Sequence, residues 1–207
     1  MYIALQCMRM VSYTCILILH ISTQHAKPAC FQTYAPELYK DYDDVLKELS
    51  RWSPSVRRNY TGNAFACAAL NLGPRTISFP HYDFANLSWG LCAITALGDY
   101  DPDTGGELVL KEPKVVIRFP PGCTFLVPSA MVEHSNTPIG PNEHRYSLAQ
   151  FTAGGLFRFV DNGFKTDEQW KKKATPQEIS ERLNAQTTRY EIGLSKLHKI
   201  KQGSDDK

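Results

Sequence analysis

The sequence predicts a mainly β domain with flanking helices (α+β), and three observations lead to this prediction. Short apolar runs separated by Gly/Pro turns fill residues 63–152, which is typical of an all-β sandwich or barrel rather than of βαβ units. Helical patterns precede and follow this region. With 207 residues and 43% hydrophobic content, the chain is long enough for one domain with a sizeable core and a tail.

The composition places few limits on the function. The net charge of +2 neither requires nor excludes a nucleic-acid partner. None of the six cysteines forms a CxxC pair, which argues against a zinc knuckle. The simplest interpretation of this cysteine usage is a reduced intracellular protein.

The first residues form a separate segment of doubtful status, residues 1–27. An early Arg9 is followed by a short apolar run that ends near Ile21, which is too short and too interrupted to span a bilayer. Three interpretations remain open: a secretory signal over residues 1–22, a buried strand, or a misplaced start codon. We therefore place the main domain at 28–166 and a C-terminal helical extension with a tail at 167–207.

The first helix is predicted over residues 34–52. Pro36 suits the first helical turn, and apolar side chains recur at helical spacing before Ser53 and Pro54 end the pattern. The β region then contains seven predicted strands. Their ranges are 64–72, 76–84, 90–100, 107–110, 114–119, 124–129 and 144–154.

Two further helices are predicted after the β region. Thr166 is a candidate cap for a short helix that runs through Trp170. Thr175, Pro176 and Glu178 form a capping-box pattern that begins a longer helix reaching about residue 200. The N-terminal and C-terminal helices are expected to pack on the outside of the sheets.

The segment FPHYDFAN, residues 79–86, carries a histidine and an aspartate two residues apart. On a strand, His81 and Asp83 would point to the same face and could bind one metal ion together. An HxD pair alone is weak evidence, because a local pair or a turn cap at a strand end gives the same pattern. A third ligand must therefore come from elsewhere in the chain.

His134 is the best candidate for that third ligand, because in a double-sheet roll a later strand can return beside the first. His81, Asp83 and His134 would then form the facial triad of two histidines and one carboxylate that holds Fe(II) in non-haem oxygenases. The open positions of such a metal can bind a bidentate oxo-acid and dioxygen.

An oxo-acid needs a cation for its distant carboxylate, and Arg145 follows His134 on the next predicted strand. Its planar guanidinium matches a carboxylate with two hydrogen bonds. Ser147 would face the same way and add a further hydrogen bond. The ordered set of five residues is much less expected by chance than HxD alone, and it favours a metal site.

Beyond these five residues, about two thirds of the chain, residues 30–166, resembles the TET/JBP-like family of 2-oxoglutarate- and Fe(II)-dependent dioxygenases, in its fungal, transposon-associated branch. The long run of matching residues is far more specific than the metal triad. The matching segments are APELYKDY, NLGPRTISFPHYDFANLSWGLCAITALGDYDPDTGGELVL, VVIRFPPGCTFLVPSAMVEHSN and HRYSLAQFTAGGLFRFVDNGF.

This resemblance implies a double-stranded β-helix core, that is, a cupin-like jelly roll. It implies that His81, Asp83 and His134 bind Fe(II) and that Arg145 and Ser147 bind 2-oxoglutarate. The family oxidises the 5-methyl group of methylcytosine in DNA with dioxygen, which implies a DNA partner, a flipped base and a nuclear location.

One further residue is implied to contact the substrate base. The polar residue three positions after the metal aspartate does so in TET-like enzymes, and here it is Asn86. Its amide could both donate to and accept from a pyrimidine edge. The alternative for Asn86 is an Asx-turn cap.

The sequence lacks a strong basic patch for DNA. Arg57 with Arg58, and Lys171 to Lys173, are short basic runs that more often form a solvated face. Three hypotheses therefore stand: a methylcytosine dioxygenase, a 2-oxoglutarate oxygenase acting on RNA, another base, a protein or a small molecule, and a non-catalytic jelly-roll remnant.

Overall fold

The computed structural model describes residues 19–20, 26–58 and 62–197, and these form two facing antiparallel sheets flanked by helices. The larger sheet has five strands, and the smaller has three. This arrangement is a double-stranded β-helix, or cupin-like jelly roll, and it confirms the predicted fold class of a mainly β domain with flanking helices.

After its first three strands, which all belong to the larger sheet, the chain passes back and forth between the two sheets. All the strand pairs are antiparallel. The strands are β1 (Leu19–His20), β2 (Cys67–Asn71), β3 (Cys92–Asp99), β4 (Leu108–Leu110), β5 (Val115–Ile117), β6 (Cys123–Val127), β7 (His134–Asn136) and β8 (His144–Phe151). Their order is β1-β6-β3-β8-β2 in the larger sheet and β5-β4-β7 in the smaller sheet.

The helices lie before and after the strands. The helices are α1 (Ala26–Tyr34), α2 (Pro36–Trp52), α3 (Gly154–Asp161), α4 (Asp167–Lys171) and α5 (Pro176–Ser195). No helix within the described residues has the length and apolar character that a membrane span requires.

The main core lies between the two sheets. Leu108 and Leu110 from the smaller sheet pack with Phe125 and Val127 from the larger sheet, and all four are buried. Alternate residues of these strands face inward, as the period of two predicts. The sandwich therefore holds its two sheets together by burying apolar side chains.

The second core lies beneath α2, whose predicted apolar stripe is buried through Leu38, Tyr42, Leu46 and Leu49. The Tyr42 hydroxyl accepts a hydrogen bond from the Leu91 amide (3.1 Å) and donates to the Leu91 carbonyl (3.3 Å). A Cβ atom at Gly90 would lie 2.0 Å from that hydroxyl, so the helix can approach the larger sheet only because this residue is glycine.

Both predicted caps of the C-terminal helices are present. Thr166 forms a capping box with Gln169, and Thr175 forms one with Glu178. These reciprocal bonds satisfy amide groups that the first helical turn leaves without partners. The predicted starts of α4 and α5 are therefore confirmed.

The predicted strand over 76–84 is wrong. The segment forms isolated bridges, Arg75 with Arg145 and His81 with His134, rather than a continuous ladder. Pro80 has no amide hydrogen to donate, and a turn closed by a bond from the Asn86 amide to the Asp83 carbonyl (2.9 Å) follows.

Three other elements differ from the prediction. The helices α1 and α3 and the three-residue strand β7 were not predicted, and α3 begins at Gly154, which was predicted to end the last strand. The cap residue Ala153 makes no side-chain cap bond, so no capping signal marks this start.

Residues 1–18, 21–25, 59–61 and 198–207 lie outside the described residues. The interpretations of the N-terminal segment therefore remain predictions.

Candidate metal and anion site

The two histidines of the predicted triad lie side by side because their backbones pair. The His81 amide donates to the His134 carbonyl (3.2 Å), and the His134 amide donates to the His81 carbonyl (3.0 Å). Residues directly opposite each other in an antiparallel pair project to the same face. The ring centroids are accordingly 4.3 Å apart.

The Asp83 carboxylate completes the group. Its Oδ1 lies 3.7 Å from His81 Nε2, and its Oδ2 lies 3.9 Å from His134 Nε2. One ligand atom from each of the three residues lies within 4.8 Å of the others. Residues separated by up to 53 positions in the sequence are thus brought together at one point.

Backbone carbonyls set the tautomer of both rings. His81 Nδ1 lies 2.8 Å from the Phe79 carbonyl, and His134 Nδ1 lies 3.0 Å from the Val132 carbonyl. A carbonyl only accepts, so Nδ1 carries the hydrogen and Nε2 presents its lone pair. Burial also lowers the pKa of His134, which keeps this imidazole neutral, the form that binds metal.

The donor set fits a ferrous ion. Two imidazoles and one carboxylate, all on one side of the site, match the facial triad, and the ring bonds to backbone carbonyls are the support that metal-binding histidines usually have. The His134 side chain is 5% exposed and that of His81 is 45% exposed, so the site is closed on one side and open on the other.

Arg145 lies at the other end of the same cavity and is 2% exposed. Its Nη1 donates to the Thr76 carbonyl (3.3 Å), its guanidinium lies 6.0 Å from the centre of the Tyr100 ring, and its Nε has no hydrogen-bond partner. Within the described part of the chain, Arg145 forms no ion pair with a carboxylate. Burial lowers the pKa of this guanidinium, and an unpaired buried charge is costly, so this end of the cavity is suited to an anion.

Ser147 lies two residues from Arg145 on β8, which is hydrogen-bonded to β3 and to β2. Its hydroxyl oxygen accepts from Asn71 Nδ2 (2.8 Å), which leaves the hydroxyl hydrogen available to a ligand. Asn71 was missed by the sequence reasoning, because an asparagine at a strand end most often marks a turn.

A single cavity of about 320 Å³ joins the two ends. Its polar lining includes all six residues that the sequence singled out, and apolar side chains form the rest of the wall. The six are His81, Asp83, Asn86, His134, Arg145 and Ser147, and the apolar residues include Ile94, Leu108 and Phe151.

Asn86 uses its side-chain amide within the protein. Its Nδ2 donates to Asp83 Oδ2 (3.2 Å) and to Ser129 Oγ (3.1 Å). Asn86 thus touches a predicted metal ligand directly. Ser129 carried no signal in the sequence, since a serine after Pro128 is common in turns.

Each of the two short basic runs contains a residue that is paired with a carboxylate. Arg58 pairs with Asp43 (2.6 Å), and Lys172 pairs with Glu168 (2.7 Å). Two aromatic side chains beside the metal ligands are largely exposed. Phe79 is 75% exposed and Phe84 is 83% exposed.

Two solved structures are similar to the chain. NgTET1 in complex with 5mC DNA is 17% identical, with a TM-score of 0.41, over 67% of this chain and 60% of that chain. The collagen prolyl hydroxylase vCPH of Paramecium Bursaria Chlorella virus-1, in a 2OG complex, is 13% identical, with a TM-score of 0.32, over 52% of this chain and 68% of that chain.

The chain therefore spans 60% of the length of the NgTET1 chain. No protein-family model matches the chain, and no curated protein matches it. At these levels of similarity, the assignment of the fold rests on the strand order and register described above.

Proposed function

We propose that this protein is an Fe(II)- and 2-oxoglutarate-dependent dioxygenase that hydroxylates the 5-methyl group of methylcytosine in DNA. One observation carries the oxygenase part of this proposal. A single cavity contains two histidines and a carboxylate within 4.8 Å of one another, and it also contains a buried arginine. Neither the His/Asp cluster nor a buried arginine is unusual by itself, but together they are suited to bind a metal ion and an oxo-dicarboxylate.

His81, Asp83 and His134 would hold the ferrous ion. The metal, when bound, supplies the redox chemistry that splits dioxygen between the two substrates. One oxygen atom goes to 2-oxoglutarate, which becomes succinate and carbon dioxide, and the other becomes the hydroxyl on the methyl carbon. Both electron pairs that reduce dioxygen come from these two substrates, so the reaction needs no further reductant.

Arg145 and Ser147 would bind the distant carboxylate of 2-oxoglutarate. The Nε hydrogen of Arg145 and the hydroxyl hydrogen of Ser147 are both available. Charge-assisted bonds of this kind are roughly twice as strong as neutral ones. Their burial excludes water from the carboxylate and fixes which end of the oxo-acid faces the metal.

The choice of methylcytosine as substrate rests on the sequence resemblance to TET/JBP-like enzymes. Two features of the molecule support a base as the target. The cavity is open on the side of His81, whose side chain is 45% exposed, and the exposed rings of Phe79 and Phe84 flank the HxD motif. Aromatic rings of this kind stack on bases, which offsets the few kcal/mol that unstacking costs.

The experiment that tests the proposal uses methylated duplex DNA with Fe(II), ascorbate and 2-oxoglutarate, followed by digestion and mass analysis of the nucleosides. We expect hydroxymethylcytosine in stoichiometric ratio to succinate, and none with His134→Ala. Succinate without altered bases would assign the oxygenase to another substrate. Absence of both products, together with absence of metal binding, would leave only a non-catalytic jelly roll.

A further inference from the structure

Asn86 closes the turn that carries the metal carboxylate. Its backbone amide donates to the Asp83 carbonyl (2.9 Å), and its side-chain Nδ2 then returns to Asp83 Oδ2 (3.2 Å). The same nitrogen also donates to Ser129 Oγ (3.1 Å). One amide group therefore bridges a predicted metal ligand and a second, buried part of the chain.

The orientation of this amide follows from chemistry. An ionised carboxylate only accepts hydrogen bonds, so the atom of Asn86 that faces Asp83 must be the nitrogen. The two hydrogens of that nitrogen are both used, one by Asp83 and one by Ser129. Only the Oδ1 atom of Asn86 remains for a ligand, and it can accept but not donate.

Both ends of the bridge are held firmly. Ser129 is 1% exposed, and its carbonyl accepts from the Asp83 amide (2.9 Å). The Asn86 backbone forms a bridge with Ala153, next to a bond from the Gly154 amide to the Ala85 carbonyl (2.9 Å). The Asn86 side chain is thus bonded to the loop after β6, while the Asn86 backbone is held beside the residues that follow β8.

We propose that Asn86 and Ser129 form a positioning brace that fixes the rotation of the Asp83 carboxylate for the metal. This inference rests on the proposed function, because it assigns the brace to the same metal site. Asp83 needs such support because its segment is a turn and not a strand, so no sheet ladder holds its side chain direction. Supporting hydrogen bonds of this kind orient ligands in other metal sites.

The brace is tested by anaerobic titration with Co(II), followed by its visible ligand-field absorption, without 2-oxoglutarate. We expect Asn86→Ala to weaken metal binding by about 10–100-fold, which is the range for removing a residue that hydrogen-bonds to a metal ligand. Ser129→Ala should have a smaller effect in the same direction. Because Ser129 acts through Asn86, the double variant should bind no more weakly than Asn86→Ala alone, which is a non-additive result.

Two controls separate positioning from general damage. Asn71→Ala removes another asparagine from the same cavity, but one that bonds Ser147 and no metal ligand, so Co(II) affinity should not change. Ser129→Thr keeps the hydroxyl and should restore the affinity lost in Ser129→Ala. Thermal unfolding of each variant shows whether it is folded. If Asn86→Ala does not fold, the comparison of Ser129→Ala with Ser129→Thr tests the brace.

The outcomes distinguish the brace from the proposed function. If the unaltered protein binds Co(II) and both alanine variants bind it within about twofold of that affinity, the brace is wrong and the oxygenase proposal stands. If the unaltered protein binds neither Co(II) nor Fe(II), the proposed function is wrong, and the brace is wrong with it because it depends on the metal site.

Discussion

The two ends of the cavity are built in opposite ways. At the anion end, Arg145 and Ser147 lie on β8, a long strand hydrogen-bonded on both sides, and are 2% and 4% exposed. At the metal end, His81 and Asp83 lie on an irregular segment and their side chains are 45% and 32% exposed. Only His134 belongs to a strand there, and that strand has three residues.

The difference shows two ways to fix a side chain. Sheet register fixes the direction of Arg145, because a slip of one residue would turn it to the other face. At the metal end, individual hydrogen bonds to ring nitrogens and to the carboxylate do this instead. The ligand on a turn thus depends on separate side-chain hydrogen bonds, whereas Arg145 on an interior strand is held by the register of the sheet.

The largest expected effect concerns the metal end alone. His134→Ala removes one of the three proposed ligands, and we expect metal affinity to fall by more than about 100-fold, since losing a residue that only hydrogen-bonds to a ligand already costs about 10–100-fold. Anaerobic titration with Fe(II) measures this. Unchanged affinity would mean that the three residues do not share a metal, and the comparison of two ends would lose its basis.

Arg145→Ala should act on the other end. We expect 2-oxoglutarate to bind about 10–100-fold more weakly, because hydrogen bonds to charged groups contribute about 1.5–3 kcal/mol. Isothermal titration with metal present measures the loss, and circular dichroism checks the fold. Metal affinity without 2-oxoglutarate should stay the same, and a parallel loss of metal binding would show that the two ends are not independent.

Ser147→Ala should have a milder effect at the same end. Removing one hydroxyl donor should weaken 2-oxoglutarate binding by about 2–10-fold, as expected for a bond of about 0.5–1.5 kcal/mol. The same titration detects it. An effect as large as that of Arg145→Ala would mean that the serine, and not the guanidinium, is the principal contact.

The smallest effect is expected outside the cavity. Hydrogen bonds from Asn162 and Arg182 lower the pKa of Asp167 to about 2, so its stabilisation is full above its unfolded pKa of about 3.9 and is lost as the pH falls through about 2. Asp167→Asn should therefore make the thermal midpoint depend slightly less on pH between these two pKa values, since exposed pairs contribute at most about 1 kcal/mol. Metal and 2-oxoglutarate binding should not change.

Much of the fold was predictable because its local signals agree. The buried stripe of α2 and the capping boxes of α4 and α5 follow from residue spacing. Residues 76–84 misled the prediction because their alternation resembles a strand, while Pro80 and the turn at Asp83 interrupt the pairing. The strand β7 has only three residues, which is too few to show the two-residue alternation of a strand in the sequence.

The candidate site divides in the same way. His81, Asp83, His134, Arg145 and Ser147 could be chosen from order and spacing, and the structure brings all five to one cavity. The partners Asn71 and Ser129 could not, because each reaches the site across a large sequence separation, through strand pairing or a loop contact. Such partners depend on three-dimensional approach, which spacing along one segment does not reveal.

The unpaired guanidinium of Arg145 has a consequence for the whole molecule. Among the residues that the structure describes, no carboxylate neutralises this buried cation, which opposes folding. A small dicarboxylate that binds it would therefore shift the folding equilibrium by mass action. A ligand at 100 times its dissociation constant would add about 2.7 kcal/mol. The thermal midpoint of this protein should therefore depend on the buffer anion and on added succinate.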